Sequence, residues 1–192
     1  MSADGATGLQ EERARVFALL ARLLAVAPDA ALLHRLATLE PPPSMLGEPL
    51  AALAAAARAT DAAAVEREYF SLFIGVGRGE VLPYASYYLT GFLHERPLAE
   101  LRASLRALGV ARALSQTDPE DHIAFCCEVM AGLLEGRFAG DPEDFFSRHL
   151  RPWAARCMAD LESAEGARFY RAVGRFGRTV FEIETAACEL PV

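Results

Sequence analysis

Apolar residues recur along the chain at steps of three and four, the spacing that places them on one face of an α-helix. The first stripe of this kind comprises Val16, Leu19, Leu20, Leu23 and Leu24. The last and most regular stripe comprises Phe169, Val173, Phe176, Val180, Ile183 and Ala187. No run of alternating apolar and polar residues is long enough to predict a strand. The pattern therefore predicts an all-α fold, with the last stripe packed inside a helical bundle.

Cap and breaker residues divide this pattern into separate helices. The predicted N-caps are Asp29, Asp61, Asp118 and Asp141. Pro83 suits the first residue of a helix, whereas Pro41–Pro43, the glycines at 75, 77 and 79, and Gly109 end helices. These signals predict roughly nine to eleven helices. We expect a single domain over 1–192, with disorder in 1–8 and flexible loops at about 40–48, 75–82 and 109–118.

Composition and charge narrow the class of partner. Hydrophobic residues make up 53% of the 192 residues and charged residues 23%, which excludes a chain that is disordered throughout. The formal net charge is −7, and an acidic surface works against binding the phosphates of nucleic acids. Positively charged partners are instead attracted. A basic peptide is therefore a better candidate partner than DNA or RNA.

Targeting signals and cysteine spacing favour a cytoplasmic protein. The apolar run Val16–Leu24 follows Glu11 and Glu12 and is interrupted by Arg22, unlike the core of a secretory signal. No stretch reaches the roughly 18 uncharged apolar residues that a membrane span needs. The four cysteines (126, 127, 157 and 188) show no C-x-x-C spacing, so we expect reduced thiols.

The segment Asp118–His122 concentrates charge and one of four histidines at a predicted helix start. Helix capping alone accounts for acidic residues and proline there, but it does not account for His122. His122 and Cys126 lie at i and i+4, half of a metal site, yet no second pair stands at ligand spacing. Asp121 and His122 could form an acid–base pair in a small helical enzyme. Alternatively, carboxylates at a helix end could bind a guanidinium group.

A segment rich in glycine and tyrosine lies upstream, from Gly75 to Leu89. It is not a Walker A loop, because that loop needs a lysine and all 19 basic residues of this chain are arginine. Glycines at 75, 77 and 79 suit a helix-to-helix connection that adopts positive φ. Tyr84, Tyr87 and Tyr88 follow at once. Such an aromatic cluster fits an apolar peptide, and it fits a core equally well.

Together the two segments resemble the TorD/DmsD/NarJ family of molybdoenzyme maturation chaperones, most of all its TorD-like members. The resemblance rests on Tyr69-x-x-Leu72-Phe73-x-Gly75-x-Gly77, on Leu82-Pro83-Tyr84-x-Ser86-x-Tyr88-Leu89, on the helix Leu98–Leu108, and on Pro119-Glu120-Asp121-His122 followed by Glu128 and Met130. Their order and intervals match the family over most of the chain. One departure is Tyr84, because many members have tryptophan just after the proline, and this puts client specificity in doubt.

The resemblance implies an all-helical cytoplasmic chaperone without enzymatic activity. It would bind the twin-arginine signal peptide and apo form of a molybdopterin oxidoreductase, of the formate dehydrogenase, sulfoxide or amine-oxide reductase, or nitrate reductase type. The implied client-binding residues are Tyr84, Ser86, Tyr88, Pro119, Glu120, Asp121 and His122, with Leu72, Phe73, Gly77, Tyr87 and Glu128 as a secondary set. No metal or cofactor is implied, although guanine nucleotide has been linked to some members.

Two alternatives and the oligomeric state remain open at this point. The small helical enzyme would use His122 with neighbouring carboxylates. The other alternative is a purely structural helical oligomer built on the stripe Phe169–Ala187. The family resemblance is compatible with a monomer or a domain-swapped dimer, for which the loop Gly109–Thr117 would serve as a hinge.

Overall fold

The computed structural model describes residues 3–111 and 118–189, and these are helical with no strand among them. The all-α prediction is therefore confirmed. The ten α-helices are α1 (Ala3–Ala25), α2 (Ala30–Ala37), α3 (Gly47–Arg58), α4 (Ala62–Tyr69), α5 (Ala85–Thr90), α6 (Arg96–Ala107), α7 (Ile123–Leu134), α8 (Pro142–His149), α9 (Ala154–Ser163) and α10 (Phe169–Cys188). A π-turn, Phe70–Ile74, follows α4 directly.

Contacts between Cα atoms divide the chain into two compact units. Unit 1 comprises residues 1–25 and 83–153 and holds α1, α5, α6, α7 and α8. Unit 2 comprises residues 26–82 and 154–192 and holds α2, α3, α4, the π-turn, α9 and α10. Two compact units can belong to one folding domain or form two domains, so the single domain stays a prediction.

Unit 1 is built around α7, which is apolar on every side. Its residues from Ile123 to Leu133 are buried except Glu128, the arrangement expected of a helix that lies in the middle of a core. Helix α1 packs along α7, and α8 packs on it as well. The buried residues of α1 include Phe17, Leu20, Leu23 and Leu24. Two of the five residues in the predicted first stripe, Val16 and Leu19, are only half-buried.

Unit 2 is built around α10, which packs on α9, α3 and α4. Phe169, Val173, Phe176 and Val180 of the predicted stripe are buried, whereas Ile183 is half-buried and Ala187 is exposed. Gly174 lets α10 approach α9 closely, since a Cβ there would lie 2.5 Å from the backbone nitrogen of Glu162 and 2.8 Å from the carbonyl oxygen of Met158. The stripe therefore belongs to an intramolecular helix interface.

Local signals predicted several helix ends correctly. Asp29, Asp61 and Asp141 are the N-caps of α2, α4 and α8, and each side chain accepts a backbone N–H bond. Gly109 follows α6 with φ 69°. Gly75, with φ 63°, ends the π-turn, and a Cβ at this position would overlap the Arg78 carbonyl group.

Two expectations about helix starts were wrong. The N-cap of α7 is His122 and not Asp118, because the chain at 118–121 turns and pairs with another segment before the helix begins. Helix α5 begins at Ala85, two residues after Pro83, because Pro83 and Tyr84 take part in the same pairing. Residues 3–8 belong to α1, and the disorder expected in 1–8 stays a prediction. The predicted loop 109–118 lies largely outside the described residues, and the flexibility of 40–48 and 75–82 stays a prediction.

Candidate functional site

Two segments that are distant in sequence lie side by side in unit 1, and they are the two that carry the family resemblance. The Ala85 backbone N–H donates to the carbonyl oxygen of Asp121 at 3.0 Å, and the Ile123 N–H donates to that of Pro83 at 2.9 Å. Tyr84 and His122 form an isolated antiparallel bridge between these bonds. We call this pairing of residues 83–86 with 121–123 the junction. It joins the N-terminal ends of α5 and α7.

Asp121 is buried in the junction, with 1% of its surface exposed. Its Oδ2 accepts a hydrogen bond from the backbone N–H of Ser86 at 2.9 Å. Helix α5 has no side-chain cap of its own, because its N-cap residue is Tyr84. Asp121 therefore caps α5 from 35 residues away.

Ser86 extends the junction to the turn that follows α5. The side chain is fully buried, and its Oγ accepts from the Glu95 N–H at 3.3 Å. Its carbonyl oxygen accepts from the Thr90 hydroxyl at 2.8 Å. The turn contains His94, which has a φ of 61°, an uncommon value for a residue other than glycine. A single buried serine thus connects Asp121 with both ends of the segment 86–95.

His122 is a neutral capping group. Its Nδ1 accepts from the Ala124 N–H at 3.2 Å, so the proton of the neutral ring is on Nε2. Burial lowers the pKa of His122 to about 4, against the opposing effect of the nearby Asp118 and Asp121 carboxylates. A general base operates best with a pKa near the working pH. Both the engaged nitrogen and the low pKa argue against an enzyme that uses His122.

The remaining acidic residues differ in what they contact. The Glu120 carboxylate accepts from Arg102 of α6 at 2.7 and 2.9 Å, and its side chain is only 14% exposed. Asp118 is exposed, and its Oδ1 accepts from the Tyr84 hydroxyl at 3.0 Å. The Tyr84 ring lies edge-on to His122, with 5.1 Å between ring centroids. The outer side of the junction is therefore acidic and aromatic.

Aromatic and apolar side chains also lie on α5 and on the turn that follows it. Tyr87 and Tyr88 are half-buried, and the Tyr88 ring lies against Trp153 with 5.7 Å between centroids. Leu89 is 45% exposed, and Phe92 is 71% exposed. Sequence motifs did not identify Arg102, Trp153 or Phe92 as part of a site. The sequence did offer one signal for Trp153, because it is the only tryptophan of the chain. A large aromatic residue of this kind is a candidate to pack against Tyr88 of the family motif.

The predicted site residues thus fall into two groups. The junction contains Tyr84, Ser86, Asp121 and His122. Pro119 and Glu120 directly precede it, and Tyr88 lies one turn along α5. Of the secondary set, Tyr87 lies on α5 and Glu128 is exposed on α7, both in unit 1. Leu72, Phe73 and Gly77 belong to unit 2, where Leu72 is buried and the Phe73 ring contacts Tyr69 and Tyr170. Leu72 and Phe73 therefore have a direct role in the packing of unit 2, whereas Gly77 is exposed and has a φ of 91°.

Residues 3–111 and 118–189 show neither a metal site nor a membrane span. They contain no group of three or more histidine, cysteine, aspartate or glutamate side chains arranged to hold a metal ion. None of their helices combines the length and the apolar character needed to cross a bilayer.

Comparison with known proteins gives consistent matches. Residues 40–159, more than half of the chain, match the family model described as nitrate reductase delta subunit. The Tat proofreading chaperone DmsD of Salmonella typhimurium is 27% identical over 147 residues, which cover 76% of this chain and 72% of the relative. The chaperone protein TorD of Aliivibrio salmonicida is 25% identical over 130 residues, 61% of this chain and 60% of the relative. Both names describe chaperones and neither describes an enzyme.

A solved structure supports the fold. A protein from Archaeoglobus fulgidus described as a redox enzyme maturation protein superposes with a TM-score of 0.56. The match covers 88% of this chain and 93% of the other, at 21% sequence identity. At this identity the likeness concerns the fold, and it agrees with the predicted TorD-like helical architecture.

Proposed function

Because the chain belongs to the nitrate reductase delta subunit family, we propose that it is a maturation chaperone that binds the twin-arginine leader and the apo form of a molybdopterin oxidoreductase before export. The general role of chaperone follows from the family and from the names of its relatives. The leader, the client and the assistance with cofactor insertion are the proposal. It places the action of the protein in the cytoplasm.

The junction is the observation that carries the proposal. It brings the N-terminal ends of α5 and α7 together around the buried Asp121 carboxylate. Asp118 presents an exposed carboxylate beside Tyr84, and α5 and the turn after it carry the exposed apolar side chains Leu89 and Phe92. A leader peptide has the complementary chemistry, since it is basic at one end and apolar after it. The net charge of −7 favours the approach of such a peptide.

Titration calorimetry tests the proposal with a synthetic peptide that contains two adjacent arginines followed by an apolar run. We expect a dissociation constant of roughly micromolar or tighter, and weaker binding as salt increases. The matched control replaces both arginines with glutamine and keeps the apolar run. Equal affinity for the two peptides would contradict recognition of the arginines, and no binding to any twin-arginine leader would overturn the proposal.

Client identity is a separate question with its own experiment. Co-expression with catalytic subunits of the formate dehydrogenase, sulfoxide or amine-oxide reductase, and nitrate reductase types should give a stable complex with the cognate subunit. We expect that subunit to contain more molybdenum when the chaperone is present. Unchanged molybdenum content in every client would contradict a role in cofactor insertion while leaving leader binding intact.

Two further properties can be tested separately, namely the binding of guanine nucleotide and the oligomeric state. We propose function without a resident cofactor, and the link to guanine nucleotide stays a prediction of the resemblance. Equilibrium dialysis with GTP tests it directly. Analytical ultracentrifugation tests whether the protein is a monomer or a dimer, and a mass that does not change with concentration would exclude an oligomer built on α10.

A further inference from the structure

We infer that Asp121 is a positioning residue, which supports client binding by holding α5 in place and does not itself bind a client arginine. The inference rests on the proposed function and changes the role of its central residue. A carboxylate beside a predicted recognition surface invites the interpretation that it pairs with a guanidinium. The structure instead gives this carboxylate an internal partner.

The Asp121 carboxylate is not accessible to a client arginine. Asp121 is 1% exposed, and its Oδ2 accepts from the Ser86 N–H at 2.9 Å. A guanidinium group is broad and planar, and a bidentate pair needs both carboxylate oxygens to face it. Reaching Asp121 would require the junction to open and the Ser86 N–H to lose its acceptor. Asp118, on the outer side of the junction, presents a carboxylate without such opening.

Helix α5 is too short to be stable without contacts from other parts of the chain. It has six residues, far fewer than the roughly 12 to 15 that an isolated helix needs to be even marginally stable. Its first two backbone donors, at Ala85 and Ser86, both go to Asp121, one to the carbonyl oxygen and one to the side chain. Asp121 therefore satisfies the donors that a helix start leaves without intrahelical partners.

Helix α5 and the turn after it carry side chains that are proposed to contact the peptide. Tyr88 and Leu89 lie on the helix, and Ser86 ties the turn that holds Phe92 to the same junction. These side chains include the exposed apolar ones proposed to meet the peptide. Loss of the Asp121 cap would let this surface move without removing any of its residues. The effect on binding is then indirect, and it depends on shape and not on charge.

Two substitutions separate shape from charge. Asp121→Asn has nearly the same shape and keeps an oxygen acceptor for Ser86, but it carries no charge. Asp121→Glu keeps the charge but adds a methylene group to a buried position, where overpacking forces neighbours to shift. Positioning predicts that the Asn variant binds the twin-arginine peptide within about threefold of the unchanged protein. It also predicts that the Glu variant binds about tenfold more weakly.

Amide hydrogen exchange provides a readout that does not involve the peptide. The amides of Ala85 and Ser86 should stay protected in the Asn variant and exchange faster in Asp121→Ala. Circular dichroism and melting curves test whether each variant is folded. If the Asn variant does not fold, the Glu variant alone still decides, because retained peptide binding by Asp121→Glu contradicts positioning.

The opposite order of affinities would overturn the inference. If Asp121→Glu binds like the unchanged protein while Asp121→Asn loses binding with both amides still protected, the carboxylate contacts the client directly. Undiminished binding by Asp121→Ala would also overturn it. Failure of the unchanged protein to bind any twin-arginine peptide would count against the proposed function, whereas the exchange result would still show whether Asp121 holds α5.

Discussion

The first turns of α5 in unit 1 and of α10 in unit 2 use the same device for different ends. Neither helix has a capping side chain at its own N-cap, which is Tyr84 in α5 and Arg168 in α10. In each, a carboxylate from a distant part of the chain takes the backbone donors. Asp121 serves α5, and Glu68 serves α10 by accepting from the amides of Arg168, Phe169 and Tyr170 at 2.8, 3.1 and 2.7 Å.

The two helices differ in what else holds them. Helix α10 has 20 residues and buries Phe169, Val173 and Phe176 in the core of unit 2, so burial of apolar surface fixes most of it. Helix α5 has six residues, and its cap is a large part of its support. Loss of the capping carboxylate therefore has different consequences in the two helices. In α10 it lowers stability, whereas in α5 it also displaces a surface that the proposed function requires.

Gly174→Ala tests whether packing really dominates in α10, and it should have the largest effect. The new methyl group would meet the backbone of α9 at Glu162 and Met158, which cannot move as a side chain could. We expect the free energy of unfolding to fall by about 3 kcal/mol, measured by denaturant titration. Arg171→Ala, at an exposed position of the same helix, is the control and should change stability little. A neutral Gly174→Ala would mean that close packing of α10 on α9 is not what holds it.

Glu68→Ala tests whether the two caps differ in function, because it removes the cap of α10 just as Asp121→Ala removes the cap of α5. Three backbone donors lose their acceptor, and we expect the free energy of unfolding to fall by about 2 kcal/mol. Peptide binding by the folded variant should be unchanged. Glu66→Ala, two residues earlier and exposed, is the matched control. Weakening of peptide binding comparable to that in Asp121→Ala would erase the distinction between the two caps.

The pH dependence of stability tests the neutral state of His122, with a smaller expected effect. Burial lowers its pKa in the folded protein to about 4, below the usual 6.5. The unfolded chain therefore takes up a proton first as the pH falls, so this contribution to stability is complete above about 6.5 and declines toward 4. Between pH 7 and 5.5 we expect the share of His122 to be on the order of 1 kcal/mol.

His122→Asn isolates this contribution. Asparagine is a good N-cap and can offer an oxygen to the Ala124 N–H, yet it does not titrate. The variant should lose less stability than the unchanged protein over the same pH interval. Some decline should remain, because burial also lowers the pKa of His149 to about 4. Identical pH profiles for the two proteins would contradict a buried, neutral His122.

The helices that could be predicted were those with signals close in sequence. Asp29, Asp61 and Asp141 each cap a helix that starts at the next residue, and apolar spacing located the stripes of α1 and α10. Asp118 looked the same, but its side chain bonds to Tyr84 and the cap is His122. A local pattern cannot distinguish these cases, because what decides is a pairing with residues 83–86.

The sequence predicted that residues of two distant segments lie together, but it did not predict the contacts that their side chains make. The motif identified Tyr84, Ser86, Asp121 and His122, and the structure brings them together. The sequence expected Glu120 and Asp121 to face a double arginine, whereas Glu120 pairs with Arg102 and Asp121 is buried. Glu120 and Asp121 are engaged by residues 18 and 35 positions away in sequence. Apolar periodicity reports only on neighbours along a helix, so it does not predict such contacts.

Hydrogen exchange with and without the twin-arginine peptide tests the central claim most directly, since it compares the two capped helices in one sample. The account predicts that saturating peptide slows exchange of the amides in residues 85–95, which cover α5 and its following turn. The amides at the start of α10, residues 169–172, should be unaffected. Bound peptide that protects the start of α10 and leaves 85–95 unchanged would contradict the account.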